Sequence, residues 1–291
     1  MGCGRTVASY VADRFRKALN HVRSFKLTIA YDGAAYHGWQ IQANDATIQA
    51  ELETAMAAVT GKKTRVTASG RTDAGVHALG QVVSFESATD MDTTTLNRAL
   101  NSNLPKDIRV LCVEEAEAGF HAIRDAVSKR YRYFIQDGGV RDPFLRGWSW
   151  YVPQKLDDWN MQDAATELVG EHDFATYQSA GSPRSSTVRT ILDFTIERQM
   201  GQLCEPIVIE VSSNGFLYNM VRNLVGTLVE VGLGKQPVEW PSQILAEKDR
   251  KVAGQTAPPQ GLFLVSVDYG QAESQSDEPD ESATGEEPEA D

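Results

Sequence analysis

The hydrophobic pattern of this 291-residue chain runs through one order of elements twice, which constrains the fold more than any other feature. In the first copy, apolar and other residues alternate over Phe25–Tyr31, which predicts a half-buried strand. Apolar residues then recur at helical spacing from Ile48 to Val59, with Thr47 at the N-cap and Gly61 just past the end. The remaining elements are strands near 64–68 and 81–85, a helix near 92–102 and a strand near 108–113.

The second copy follows the same β-α-β-β-α-β order. It consists of a strand over 130–136, a helix from Leu156 to Leu168 that Gly170 closes, strands near 191–198 and 207–212, a helix over 220–231 and a buried strand near 262–267. The repeat predicts an α+β fold of two ferredoxin-like split β-α-β halves, with helices on one side of two mixed or antiparallel sheets. We expect a substrate cleft between the halves, and smaller elements near 148–152 and 240–248.

The pattern divides the chain into four parts. They are a basic amphipathic extension over 1–24, an N-terminal half over 25–118, a C-terminal half over 119–270 and an acidic tail over 271–291. The tail has nine Asp or Glu and no Lys or Arg, so its composition predicts disorder. The tail supplies most of the net charge of −12 and leaves the rest of the chain at −3, so net charge does not exclude a polyanionic partner.

The N-terminal extension is open to several interpretations. Its apolar residues recur at helical spacing, so it could lie on RNA, on a membrane surface or on the rest of the protein. Gly2 and Thr6 fit the loose myristoylation pattern, and the acid-poor segment with its arginines also resembles a transit peptide. No apolar run in the chain reaches the roughly 18 residues that a membrane span requires.

The spacing of potential metal ligands matches no known site. Cys3, Cys112 and Cys204 lie far apart, and the five histidines form no HExxH motif or pair. Isolated thiols are typical of a reducing compartment, so we expect a cytoplasmic protein without a zinc or iron centre.

The segment GRTDAGVH at 70–77, between two predicted strands, has the highest density of functional residue types. Gly70 and Gly75 allow backbone conformations closed to other residues, and the small neighbours of Asp73 leave its carboxylate room to reach a large ligand. The nearby Arg71 would favour ionised Asp73, which could act as a nucleophile or a base. The alternative is a polar turn in which Asp73 caps its own backbone.

Aromatic and basic residues alternate over Lys129–Tyr133. Strand geometry places Tyr131 and Tyr133 on one face and the two arginines on the other. Aromatic side chains can stack on unpaired bases while cations hold phosphates, so the segment could contact RNA. It could equally be a strand with an aromatic core face and a basic solvent face.

Arg222 interrupts the otherwise apolar helix predicted over 220–231. An unpaired buried charge costs several kcal/mol, so a buried Arg222 would require an acidic partner, for which Asp73 is a candidate. The alternative is an arginine at a helix end whose charged group extends to solvent.

These segments together resemble the tRNA pseudouridine synthase A (TruA) family. Its three signature segments are similar to GRTDAGVHA at 70–78, KRYRYFI at 129–135 and NMVRNLVG at 219–226. Three further matches occur in the family's order, namely YDGAAYHGWQ at 31–40, NLPKDIRV at 103–110 and GLFLVSVDY at 261–269. The likeness spans about residues 25–269, and both ends depart from the family pattern.

The resemblance implies a role for each matching residue. Asp73 falls at the family's catalytic aspartate, and Tyr131 at the tyrosine that stacks on the target base. Arg222 falls at the arginine that pairs with the catalytic carboxylate. Arg71 falls at a basic residue that fills the space left by a flipped nucleotide.

The resemblance also implies the activity and the partners. The family converts uridines at positions 38, 39 and 40 of the tRNA anticodon stem-loop to pseudouridine. It acts as a homodimer and needs no metal or small-molecule cofactor. Its partner is tRNA, which reaches across both subunits, and it does not associate with a membrane. The isomerisation adds and removes no group, so a cofactor is not required.

Three other functions compete with this one. A non-catalytic RNA-binding module would use the same aromatic and basic residues, but it leaves the GRTDAG loop unexplained. A glycoside hydrolase usually needs two carboxylates, whereas the signature segments contain one, and Glu51, Asp107 and Asp173 have contexts that indicate structural roles. A purely structural protein is the third alternative.

The charge balance conflicts with a tRNA partner unless the cations are concentrated, because a nucleic-acid-binding surface is expected to be basic. We therefore expect the basic residues to surround one cleft, and tRNA affinity to depend steeply on salt. The candidates are Arg71, Lys129, Arg130, Arg132, Arg184, Arg189 and Arg222.

Overall fold

The computed structural model describes residues 22–181, 185–201 and 203–270. The predicted order of the first half is confirmed. Its elements are β1 (Arg23–Tyr31), α1 (Ile48–Thr60), β2 (Thr67–Ala68), β3 (His77–Ser87), α2 (Thr93–Asn103) and β4 (Ile108–Ala116). The acidic tail, and all of the N-terminal extension before Val22, lie outside the described residues, while β1 already begins at Arg23.

The second half repeats the order with additions. Its elements are β5 (Ser128–Asp137), β6 (Trp150–Val152), α3 (Asp158–Thr166), β7 (Gly170–Asp173), β8 (Val188–Arg198), β9 (Ile207–Ser213), α4 (Met220–Gly232), α5 (Trp240–Gln243) and β10 (Leu262–Asp268). The predicted helix over 156–168 is shorter than expected, because Leu156 and Leu168 are buried just outside it. Gly170 begins β7 instead of closing that helix.

The described strands form one sheet, whereas the repeat predicted two. Its order is β4-β1-β3-β10-β5-β9-β8-β7, with β2 on β3 and β6 on β5. The last strand, β10, joins the halves because it pairs antiparallel with β5 on one edge and parallel with β3 on the other. The α+β class with a mixed sheet is confirmed. The division into two domains at residue 118 stays a prediction.

A single row of buried side chains crosses the middle of this sheet. Cross-strand pairing aligns Tyr31 with Ala78, Ala78 with Leu264, Leu264 with Tyr131 and Tyr131 with Val211. Paired residues point to the same face of a sheet, so all five project from one side. They share one hydrophobic core with apolar residues of α1, α2, α3 and α4. The centre of this row underlies the candidate site.

Side chains or a glycine close some of the helix termini, but not all of them. The carboxylate of Asp92 accepts a hydrogen bond from the backbone N–H of Thr95 and so caps α2, and Gly61 ends α1 at φ 70°. Thr47 occupies the N-cap of α1 as predicted, but its hydroxyl makes no capping bond and is buried without a partner among the described residues. Within those residues, no helix is long and apolar enough to cross a membrane.

Candidate active site

Asp73 lies in the loop between β2 and β3, at the start of a turn that Val76 closes by donating its backbone N–H to the Asp73 carbonyl, at 3.1 Å. Gly75 has φ +77°, a conformation that L side chains rarely adopt. Gly70 does not have a positive φ, so of the two glycines only Gly75 is required by backbone conformation. The Asp73 carboxylate accepts from Arg222 and from no backbone group of its own turn, unlike the turn alternative raised by the sequence.

The segment after β1 holds this loop in place. The Trp39 N–H donates to the Thr72 carbonyl at 3.0 Å, and the hydroxyls of Tyr31 and Thr72 share a hydrogen bond of 2.8 Å. A Cβ at Gly33 would lie 2.0 Å from the Val76 carbonyl oxygen, so only glycine permits this approach. The segment at 31–40, which the sequence singled out, therefore packs against the Asp73 loop.

Arg222, in the first turn of α4, reaches across from the second half of the chain. Its Nη1 lies 3.4 Å from Oδ2 of Asp73, a contact between residues 149 positions apart. The side chain is 15% exposed and that of Asp73 is 29% exposed, so Arg222 does not extend to solvent. The predicted pairing of Arg222 with Asp73 is present in the structure.

Arg222 makes shorter bonds to two neutral oxygens than to the carboxylate. Its Nε donates to the carbonyl of Ala257 at 2.7 Å, and its Nη1 donates to Oδ1 of Asn219 at 3.0 Å. Neither Asn219 nor Ala257 was assigned a role from the sequence. The spacing of Asn219 and Arg222 by three positions at the start of a helix is a signal that could have revealed the first of them.

Burial has the largest effect on the pKa of the Asp73 carboxyl. Desolvation raises the pKa of the Asp73 carboxyl above its ordinary value, and the charge and hydrogen bond of Arg222 oppose that rise only in part. Arg71 is exposed and is not among the groups that shift the pKa of Asp73. The prediction that Arg71 holds Asp73 ionised is therefore wrong, and Arg222 provides that effect.

The two tyrosines of β5 have different surroundings although they share a face. Tyr131 is 8% exposed and meets Phe216 edge to face at 5.1 Å between ring centroids. Burial, together with the charge of Asp73 and the nearby Tyr31, raises the pKa of Tyr131, so its hydroxyl stays neutral. Tyr133 is fully buried and donates its hydroxyl to the Pro258 carbonyl at 2.7 Å. Tyr131 is thus the tyrosine beside Asp73, and Tyr133 supports the backbone next to Ala257.

The expected cations do not all surround this site. Arg130 and Arg132 project from the opposite face of β5, where they form ion pairs with Asp193 and Glu210. Their alternation with the tyrosines makes this unavoidable in a strand. Lys129 lies on the Tyr131 face, with its Nζ 3.5 Å from where a Cβ of Gly70 would lie. Arg184 lies outside the described residues.

No second carboxylate contributes to the pKa of Asp73 among the residues that the structure describes. Asp107 accepts the Tyr36 hydroxyl, and Asp173 pairs with Lys248, which agrees with structural roles for both. Over the same residues, no three His, Cys, Asp or Glu side chains come together in an arrangement that could hold a metal ion. The arrangement can therefore supply one carboxylate, a fixed guanidinium and an aromatic surface.

The chain is similar in sequence to known tRNA pseudouridine synthases. A family model described as tRNA pseudouridine synthase matches residues 27–123 and 164–270. The tRNA pseudouridine synthase A of Thermoanaerobacter sp. (strain X514) is 44% identical over 248 residues, covering 85% of this chain and 100% of that protein. The protein of the same name from Listeria innocua serovar 6a is 45% identical over 249 residues, covering 84% and 98%. A chain of a solved H/ACA RNP bound to a substrate RNA containing 2′-deoxyuridine is 12% identical, with a TM-score of 0.33 over 70% of this chain and 44% of that chain.

Proposed function

Because the chain belongs to the tRNA pseudouridine synthase family and is an isomerase, we propose that it converts uridine to pseudouridine at positions 38–40 of the tRNA anticodon stem-loop. Asp73 is the catalytic carboxylate, Tyr131 and Arg71 contact the substrate, and Arg222 lies at the substrate-binding site, where it orients Asp73. The observation that carries these assignments is the convergence of Asp73, Arg222 and Tyr131 from three distant segments of the chain.

The reaction fits what these residues can supply. The bond from N1 to C1′ breaks, the freed uracil turns, C5 bonds to C1′, and a proton leaves C5 while N1 gains one. Atoms balance without a co-reactant, so no cofactor or metal is needed. Asp73 could attack C1′, add to C6 or remove the C2′ proton, and its ionised form is required for each.

The surroundings of Asp73 favour chemistry on a base that has left its stack. Such enzymes flip the target nucleotide into a pocket and hold it against aromatic side chains. Tyr131 provides the aromatic surface, and stacking on it would keep the detached uracil from diffusing away. Arg71, which is exposed and two residues before Asp73, would occupy the position that the flipped nucleotide vacates.

The same proposal includes the assembly and the compartment. The enzyme acts as a homodimer in the cytoplasm, and tRNA reaches both subunits. Support for this part comes from the family resemblance of the signature segments, and sedimentation of the purified protein at several concentrations tests the dimer.

The test replaces Asp73 by Asn and maps pseudouridine chemically in tRNA incubated with each protein. We expect wild type to modify positions 38–40, and Asp73→Asn to lower the rate by about 1000-fold or more because the essential carboxylate is gone. Asp193→Asn, which removes a carboxylate on the opposite face of the sheet, is the matched control and should keep wild-type turnover.

Two of the rival functions have their own outcomes in this test. A passive RNA-binding module would bind tRNA but form no pseudouridine even as wild type. A glycoside hydrolase would release free uracil. Modification at other tRNA positions would contradict the assigned substrate site while leaving the isomerase chemistry in place.

A further inference from the structure

The Arg222 guanidinium is positioned mainly by neutral acceptors and not by Asp73. Its distances to Ala257 O and Asn219 Oδ1 are 2.7 and 3.0 Å, against 3.4 Å to Asp73 Oδ2. Hydrogen bonds between an arginine and a carboxylate are usually short. If Asp73 were the group that holds Arg222 in place, its Oδ2 would be expected closer to Arg222 Nη1 than 3.4 Å. The guanidinium is thus already fixed before Asp73 engages a substrate.

The Ala257 contact is made by backbone and is itself held in place. Ala257 accepts from Arg222 Nε and donates its own N–H to the Arg222 carbonyl at 3.0 Å. Next to it, the Pro258 carbonyl accepts the Tyr133 hydroxyl at 2.7 Å. A point substitution cannot remove the Ala257 carbonyl, so among these neutral acceptors only Asn219 offers a side chain that can be changed.

Asn219 has two unusual features for a residue at the start of a helix. Its φ is +58°, in the left-handed region that costs energy for a residue other than glycine, although Asn tolerates it best. An N-cap Asn normally caps the helix through its side chain, but Asn219 makes no such bond and turns Oδ1 toward Arg222. In this left-handed conformation, the Asn219 side chain bonds Arg222 and does not cap the helix.

We propose that Asn219 is a positioning residue for the reaction, which holds the Arg222 guanidinium at the angle from which it orients the Asp73 carboxylate. This inference rests on the proposed function. Asn219 contacts neither the substrate nor Asp73 in this scheme and acts only through Arg222. A guanidinium fixed in advance stabilises charge without reorganising during the reaction, which is why its geometry affects the rate.

The test uses Asn219→Gly, because glycine accepts φ +58° without strain while the substitution removes the side-chain amide that bonds Arg222. We expect kcat for pseudouridine formation to fall about 10- to 100-fold, which is the scale of cost for a group displaced by about 1 Å, with tRNA affinity within about twofold. Because Arg222 lowers the pKa of Asp73, a loosened guanidinium should also move the acid limb of the single-turnover pH profile to higher pH.

Asn44→Gly is the matched control. Asn44 also has a positive φ, at 67°, but it is exposed. The same substitution there should leave kcat and the pH profile unchanged.

Two outcomes would overturn the proposal. Wild-type kcat in Asn219→Gly would mean that backbone conformation alone is needed at this position. A lower kcat with an unmoved acid limb would mean that Asn219 supports the fold and not Arg222. Both outcomes are measured against a wild-type protein that forms pseudouridine. If the wild type itself forms none, the proposed function is wrong, which is a different result.

Discussion

At the scale of single residues, the main feature of the site is the Asp73 carboxylate, whose pKa is shifted in opposite directions by burial and by Arg222. Burial raises the pKa of Asp73, while Arg222 lowers it. In the proposed reaction Asp73 must lose its proton before it can act as a nucleophile or a base, so we expect activity to decline at low pH as the carboxyl is protonated. The position of that decline reports how strongly Arg222 acts on Asp73.

Replacing Arg222 by Ala should lower turnover about 100-fold or more while changing tRNA affinity only a few-fold, because the contact is made with Asp73. Without Arg222, burial is unopposed and the pKa of Asp73 rises further. The acid limb of the pH–rate profile should therefore move to higher pH. Single-turnover rates across pH, together with tRNA binding, check both effects.

Arg222→Lys is compared with wild type and Arg222→Ala in the same assays. Lysine keeps the charge but lacks the planar fork that bonds Ala257 and Asn219 simultaneously, so we expect an intermediate rate. Equal losses of turnover and affinity in Arg222→Ala would show that Arg222 serves tRNA binding instead.

At the scale of elements, the Asp73 loop depends on the segment that leaves β1. The two are joined by backbone hydrogen bonds and by close approaches at Gly33 and Gly38, where an added Cβ would lie 2.0 and 2.6 Å from backbone oxygens of Val76 and Thr72. Interiors packed this tightly transmit a displacement at one point to their neighbours. The position of Asp73 is therefore set partly by residues about 40 positions earlier.

Gly33→Ala should separate these two segments. The new Cβ would collide with the Val76 carbonyl, and overpacking of this kind costs about 1–3 kcal/mol of unfolding free energy. Because Val76 closes the turn that begins at Asp73, we also expect slower pseudouridine formation. Urea unfolding and single-turnover rates measure the two effects.

Gly147→Ala is the control for the glycine substitution. Nothing lies within 4 Å of a Cβ at Gly147 and its φ is not positive, so stability should change by no more than about 0.5 kcal/mol or improve slightly. Similar losses in both variants would mean that the Gly33 contact is not what fixes the loop.

At the scale of the whole molecule, the two halves are joined where β10 lies beside β3. His77 of β3 stacks on Phe263 of β10, with 4.6 Å between ring centroids, and is 1% exposed. Its Nδ1 lies 3.1 Å from the Gly33 N–H, which a neutral imidazole can accept. Burial lowers the pKa of His77 more than the neighbouring Asp32 raises it.

The lowered pKa of His77 predicts a stability that declines with acidification. The unfolded chain binds a proton at His77 near its ordinary pKa of 6.5, while the folded chain does so only at lower pH. The stabilising contribution is therefore complete above about pH 6.5 and is lost as pH falls from there through the folded-state value. Urea unfolding between pH 8 and pH 5 should show this slope, which His77→Gln should reduce.

His37 supplies the comparison for the pH experiment, because its side chain is 62% exposed. His37→Gln should leave the pH dependence of unfolding as it is in wild type. A slope that persists unchanged in His77→Gln would assign the acid sensitivity to other groups.

Local sequence was enough to predict most elements and the pairing of Arg222 with Asp73 at the candidate site. Alternation over Phe25–Tyr31 and helical spacing after Thr47 matched β1 and α1, because periods of two and 3.6 residues follow from backbone geometry alone. The helix predicted over 156–168 was too long, because buried leucines that flank a short helix have the same spacing as leucines inside one. Asn219 received no separate role from the sequence, because its bond to Arg222 depends on a side-chain direction that only the folded structure gives.

The sequence by itself determined the order of elements, the two faces of β5 and the three segments that carry Asp73, Tyr131 and Arg222. Only the tertiary structure decided that the halves share one sheet, that Tyr131 and not Tyr133 stands beside Asp73, and that Arg222 is held chiefly by Asn219 and Ala257. The physical reason is the distance along the chain between the residues that interact. Periodicity reports on neighbours within a few positions, whereas pairing of strand edges and burial of a carboxylate depend on residues that meet only when the whole chain has folded.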